Sequence, residues 1–100
     1  MSSDGYRALL LDLDGTLARA FLRITPAVEQ AVRRLARDMP VGIVSSRDHT
    51  IVGEIAARLG LLGLQVSEGG ARIFDPRTHE TRWQCSLATA DARQILDFLE

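Results

Sequence analysis

Apolar and polar positions change period several times along the chain, and each change marks an element. Leu9-Leu10-Leu11 is a short apolar run that stops at Asp12-Leu13-Asp14-Gly15. It is too short for a useful helix and ends in a turn former, so Arg7 to Leu13 reads as a buried strand. A connection from Ala18 to Thr25 follows, with Phe21 and Leu22 as apolar pegs. Thr25-Pro26 then opens a helix, since Thr suits the N-cap and Pro the first helical position. Val28, Ala31, Val32, Leu35 and Ala36 recur at helical spacing as one apolar stripe, and Met39-Pro40 ends it.

The same alternation repeats. Val41-Gly42-Ile43-Val44 is a second buried strand that stops at Ser45-Ser46-Arg47-Asp48. A helix from His49 to Leu59 carries Ile51, Val52, Ile55, Ala56 and Leu59 on one face, and Gly60 stops it. Leu64 to Ser67 is a third strand, closed by the turn Glu68-Gly69-Gly70. Ala71 to Phe74 and Thr81 to Cys85 flank Asp75-Pro76, a turn signal, and form a hairpin whose Phe74 and Trp83 are expected on the core. Ala88 to Leu99 is a last helix with Ala92, Ile95, Leu96 and Leu99 on one face. Strand-then-helix alternation predicts an α/β fold with a parallel sheet. Three parallel strands and a hairpin would leave an open edge, through which copies could self-associate.

Length and charge narrow the picture. One hundred residues make a single small domain, 1–100. A net charge of -1 argues against a nucleic-acid partner. No stretch approaches the roughly 20 apolar residues that span a bilayer, so no membrane partner is expected. The opening Met1-Ser2-Ser3-Asp4-Gly5 has no secretory pattern, and a cytoplasmic protein is the default. The single Cys85 excludes an internal disulfide and is expected to be buried. Arg33, Arg34 and Arg37 lie mostly off the apolar stripe and read as a solvated face.

The candidate chemistry lies where the strands stop. Asp12 and Asp14 share a face if the strand continues, or meet at its carboxyl edge if it ends at Asp12. That edge is where open parallel sheets bind ligands. Two carboxylates this close need a cation, a shared proton or a positive neighbour. With no Lys or Arg between Arg7 and Arg19, a hard cation such as Mg2+ fits. The plainer alternative is a strand followed by a solvated Asp-Gly turn. Ser45 and Ser46 precede a helix N-terminus, which favours phosphate, although Ser45 taken alone is more often a helix cap. His49 reads as a surface residue, and Gly69-Gly70 as a plain turn.

Asp12-Leu13-Asp14-Gly15-Thr16-Leu17 behind a Leu-rich strand resembles the first motif of the haloacid dehalogenase superfamily, Asp-x-Asp-Gly-Thr-Leu/Val. The resemblance implies a Rossmann-like three-layer sandwich and a Mg2+-dependent phosphohydrolase. Asp12 would be the nucleophile that forms an aspartyl phosphate, and Asp14 the general acid and then base. The Asp12 carboxylate and the Asp14 carbonyl would hold Mg2+, and Gly15 and Thr16 would lie against the phosphate. Ser45 resembles the second-motif residue that binds the phosphoryl group, with Ser46 beside it. Ser46-Arg47 is similar to the form seen in members with a large cap after the third strand, which implies substrate binding by Arg47.

Glu68-Gly69-Gly70-Ala71-Arg72-Ile73-Phe74 resembles the sugar-phosphatase branch, of the mannosyl-3-phosphoglycerate phosphatase kind, with Gly69 where Asn often stands. The implied substrate is a small phosphorylated metabolite, a sugar phosphate foremost. The family's third motif, a basic residue, and its fourth, an acidic pair, have no candidates after Leu87: Asp91, Arg93 and Asp97 sit on the last amphipathic helix. The expectation is therefore the N-terminal core part of a larger phosphatase, lacking the rest of the core and the cap, with little or no turnover of its own. Alternatives are a phosphomutase fragment or a non-catalytic scaffold module of the same fold.

Overall fold

The computed structural model describes residues 5–100; the polar opening residues 1–4, whose lack of a secretory pattern was read from sequence, lie outside them. The chain forms β1 (Leu9–Asp12), α1 (Pro26–Asp38), β2 (Val41–Val44), α2 (His49–Arg58), β3 (Gln65–Ser67), β4 (Arg72–Phe74), β5 (Thr81–Gln84) and α3 (Thr89–Leu99). Short 3-10 turns cover Ala20–Leu22 and Glu68–Gly70. Local chemistry sets the helix starts. Thr25 Oγ1 accepts from the Val28 N–H at 3.3 Å with Pro26 behind it. Asp48 Oδ1 accepts from the Ile51 N–H at 3.0 Å, so Asp48, not Ser45, caps α2.

The sheet order is β1-β2-β3-β4-β5. The first three strands run parallel, and β4 and β5 pair antiparallel as the expected hairpin. Parallel neighbours need crossovers, which α1 and α2 supply. Leu9 to Asp12 pair with Val41 to Val44 in register, so Asp12 stands beside Val44 and one residue short of Ser45. Next to it Val44 pairs with Val66. Where β2 and β3 diverge, the buried Gln65 side chain takes the place of a ladder: its Oε1 accepts from the Ile43 N–H at 2.6 Å and its Nε2 donates to the Gly63 carbonyl at 3.0 Å. An unpaired buried N–H would otherwise be costly.

The core gathers between the sheet and the two crossover helices. Leu13, Ile43, Val52, Ala56, Leu59 and Phe74 are fully buried. The α2 stripe is thus as expected. Two expectations fail at the hairpin: Trp83 is 51% exposed, and Cys85 is exposed rather than buried. Both belong to the last strand or its end, and β5 is an edge strand with one neighbour. The face of α3 formed by Ile95, Leu96 and Leu99 is exposed, and the helix has no buried residue. The radius of gyration is 15.8 Å, above the roughly 13 Å of a compact chain this long, as a helix standing off the core requires. Among the described residues no helix is long and apolar enough to cross a membrane.

Candidate active site

β1, β2 and β3 all end at one edge of the sheet, and the polar residues that follow them make the site. β1 stops at Asp12, so Asp12 and Asp14 meet by a turn rather than by strand alternation. The turn is anchored from below by buried Leu13, Leu17 and Ala18. The Ala18 N–H donates to the Leu13 carbonyl at 2.8 Å and the Gly15 N–H to the Ala18 carbonyl at 2.9 Å. Gly15 has φ +79°, a left-handed conformation that costs glycine least. With Leu13 inward, Asp12 and Asp14 are both left exposed.

Each acid has one partner. Thr16 Oγ1 donates to Asp12 Oδ2 at 3.1 Å. Arg47 grips Asp14 as a fork: Nη2 to Oδ1 at 2.8 Å, and Nε to Oδ2 at 3.0 Å and to Oδ1 at 3.2 Å. The hydrogen bond from Arg47 holds the Asp14 carboxyl below its ordinary range, with partial burial opposing and the guanidinium charge adding. The positive neighbour that two close carboxylates need is therefore supplied from β2's end, 33 residues away in sequence. Both side chains are more than a third exposed, so solvent screens the pair.

Ser45 is buried behind this fork. Its Oγ accepts from the Arg47 N–H at 3.0 Å, and its own N–H donates to the Val66 carbonyl at 3.1 Å. The hydroxyl proton is left available to a ligand oxygen. Ser46 is exposed at the same turn. Gly15 and Thr16 lie beside the acids, but their N–H groups already donate to the Ala18 and Leu13 carbonyls. The structure thus joins Asp12 to Thr16, Asp14 to Arg47, and Arg47 to Ser45.

Four polar residues beside this loop, His49, Ser67, Glu68 and Arg72, form a cluster that the sequence does not mark as a group. Glu68 Oε1 accepts from the His49 N–H at 3.0 Å, and Glu68 Oε2 stands 3.4 Å from Arg72 Nε. Ser67 Oγ also donates to Glu68 Oε2. His49 is therefore not the free surface residue expected, but half-buried, with its ring edge-on to Phe74 at 6.0 Å between centroids. The Asp48 cap had a legible signal, an Asp immediately before a helical stripe. The Glu68 cluster had none, because His49 lies 19 residues away in sequence.

The donor set suits Mg2+ in kind. Carboxylate and carbonyl oxygens are hard ligands, and this ion ordinarily takes one or two carboxylates and keeps several waters. Among the described residues no three His, Cys, Asp or Glu side chains gather as a denser cage. A concavity of about 520 Å³ lined by Met39, Pro40, Val41, Leu61 and Arg77 lies at the opposite, amino end of β2, away from the carboxylates. The candidate chemistry belongs to the carboxyl ends of the parallel strands.

Residues 9–100 match the model of the haloacid dehalogenase-like hydrolase family. A curated relative, the HMP-PP phosphatase of Serratia proteamaculans (strain 568), is 33% identical over 73 residues, which cover 72% of this chain and 27% of the relative. The structure of a haloacid dehalogenase-like hydrolase from B. subtilis superposes with a TM-score of 0.81 at 29% identity, over 94% of this chain and 33% of that one. The HAD subclass IIB sugar phosphatase BT4131 shares the fold, with a TM-score of 0.69 at 20% identity over 93% of this chain and 36% of that one. The chain thus spans about a quarter of its curated relative and about a third of these structures.

Proposed function

The chain belongs to the haloacid dehalogenase-like hydrolase family, and on that premise we propose that it carries the phosphoryl-accepting part of a Mg2+-dependent phosphohydrolase for small phosphorylated metabolites, sugar phosphates foremost. The observation that carries the reading is the single sheet end that sets Asp12, bonded to Thr16, beside the linked set Asp14, Arg47 and Ser45. Residues 1–100 would be one core domain of a larger active unit, with the further basic and acidic groups supplied from outside these residues.

In the proposed cycle a carboxylate oxygen of Asp12 attacks phosphorus as the ester P–O bond breaks. Thr16 holds the other oxygen, Oδ2, which orients the carboxylate. The leaving oxygen takes a proton from Asp14. Asp14 then takes a proton from water, whose oxygen attacks the aspartyl phosphate and releases inorganic phosphate, restoring Asp12. Ser45 donates its hydroxyl proton to a phosphoryl oxygen. Arg47 presents the planar fork that suits phosphate as well as carboxylate. An arriving phosphoryl group competes with Asp14 for it, and Asp14 is freed to carry the proton. The Asp12 carboxylate and the Asp14 carbonyl would hold Mg2+, which when bound neutralises charge on the phosphoryl oxygens.

Turnover by these residues alone is expected to be slow, so the test reads a single transfer. Wild-type chain and Asp12→Asn are incubated with Mg2+ and labelled phosphate donors, including acetyl phosphate, sugar phosphates and HMP-PP. A hydroxylamine-labile label at Asp12, lost in Asp12→Asn, is expected. Labelling that survives Asp12→Asn assigns another nucleophile, and no labelling in either favours the non-catalytic scaffold; each overturns the proposal.

A further inference from the structure

The turn after β3 is tied to the phosphoryl loop more closely than a connection requires. Glu68 sits at φ +51°, a left-handed conformation that a non-glycine residue rarely keeps unless its surroundings fix it. Its backbone N–H donates to the Arg47 carbonyl at 2.8 Å, and the next N–H, of Gly69, donates to the Ser45 carbonyl at 3.0 Å. Both acceptors belong to the loop that carries Ser45 and Arg47. The Glu68 side chain then turns back onto the same segment and accepts from the His49 N–H.

That carboxylate is held from three directions. Ser67 donates to Oε2, His49 to Oε1, and Arg72 of β4 stands 3.4 Å from Oε2. His49 Nδ1 lies 3.2 Å from Glu68 Oε1 and 2.9 Å from Arg72 Nη1. One ring nitrogen cannot donate to the first and accept from the second at once, so the tautomer decides which of the two partners the ring bonds. The ring also abuts Phe74, which is fully buried. Burial pushes the Glu68 carboxyl up, and its hydrogen bonds from Ser67 and His49 and the charge of Arg72 outweigh it, so the group stays ionised.

We propose that Glu68 is a positioning residue for phosphoryl binding: tied to His49 and Arg72, it fixes the Ser45–Arg47 loop in the geometry that receives phosphate. This rests on the phosphoryl-site reading above. Glu68 touches no reacting atom; it acts through the backbone of the loop.

The test titrates inorganic phosphate with Mg2+ into isotope-labelled chain and follows the amides of Ser45, Ser46 and Arg47 by NMR. Glu68→Asn is the first variant, because Asn tolerates the left-handed backbone while too short to keep the clamp. Its phosphate affinity is expected to fall about tenfold, the effect of losing a charge-assisted tie. The Ser45 and Gly69 amides should exchange faster, with Ile43 and Val52 unchanged. Glu68→Gln, which keeps an acceptor but not the charge, should lose about threefold, and it carries the test if Glu68→Asn fails to fold. Wild-type affinity in the folded variant overturns the proposal, even where exchange quickens, since Glu68 would then be structural alone. A wild-type chain whose Ser45–Arg47 amides ignore phosphate overturns the phosphoryl-site reading itself, and the inference with it.

Discussion

Asp75 shows how one side chain can be legible in kind and illegible in placement. The pair Asp75-Pro76 signals a turn, and the hairpin turns there. Its carboxylate, however, is buried at 8% side-chain exposure and accepts from the Arg77 N–H at 2.8 Å. That backbone bond lowers the carboxyl below its ordinary 3.8; burial opposes it, and the Arg77 side chain and the Thr78 backbone assist. The sign follows from linkage: a depressed folded pKa gives stability that is present above the unfolded value and lost as pH falls through the folded one. Wild type should melt above Asp75→Asn at neutral pH, and the gap should close as pH drops below about 3.8. Melting temperatures of both chains from pH 7 to 2 check this; a gap that persists at the acid end contradicts it. Asp12 and Asp14 were more readable, because six consecutive residues carry their pattern. The partner of Asp14 was not, since Arg47 comes from the next strand's end, 33 residues away in sequence.

At the scale of elements, period placed the strands and helices, but not all of their burial: β1, expected to be buried, pairs on one side only and leaves Leu10 exposed, and of the α1 stripe Val32 alone is buried while Ala31 is exposed. The α2 stripe of Val52, Ile55, Ala56 and Leu59 is buried as read. The hairpin separated what pattern could not. Phe74 and Trp83 are both aromatic residues on neighbouring strands, yet Phe74 is fully buried and Trp83 half exposed. Phe74 lies on β4, between two strands, and packs under Gly53 of α2, whose position would bring a Cβ within 3.4 Å of its ring. Trp83 lies on the edge. Phe74→Ala should therefore cost about 3–5 kcal/mol, read as a lower denaturant midpoint, while Trp83→Ala should shift it far less. Equal losses would mean that the hairpin packs differently. Phe74 also supports the His49 ring, so its loss should loosen the Glu68 cluster.

For the whole molecule, α/β class and the order of parallel strands followed by a hairpin could be read from the chain, since each follows from local period and handed crossovers. The linkage of the β3–β4 turn to the Ser45–Arg47 loop could not, because long-range backbone hydrogen bonds carry it and leave no residue-type signature. The exposed apolar face of α3 likewise has no local cue: the helix is amphipathic in sequence, and only the structure shows that nothing covers it among the described residues. The proposed function depends on Asp12, at the carboxyl end of β1, acting as the phosphoryl acceptor. Fluorine NMR with beryllofluoride, an analogue of a phosphoryl group on a carboxylate, tests this most directly. With Mg2+ present, bound signals are predicted for wild type and Asp14→Asn and none for Asp12→Asn. Equal bound signals in Asp12→Asn, or none in wild type, would contradict it.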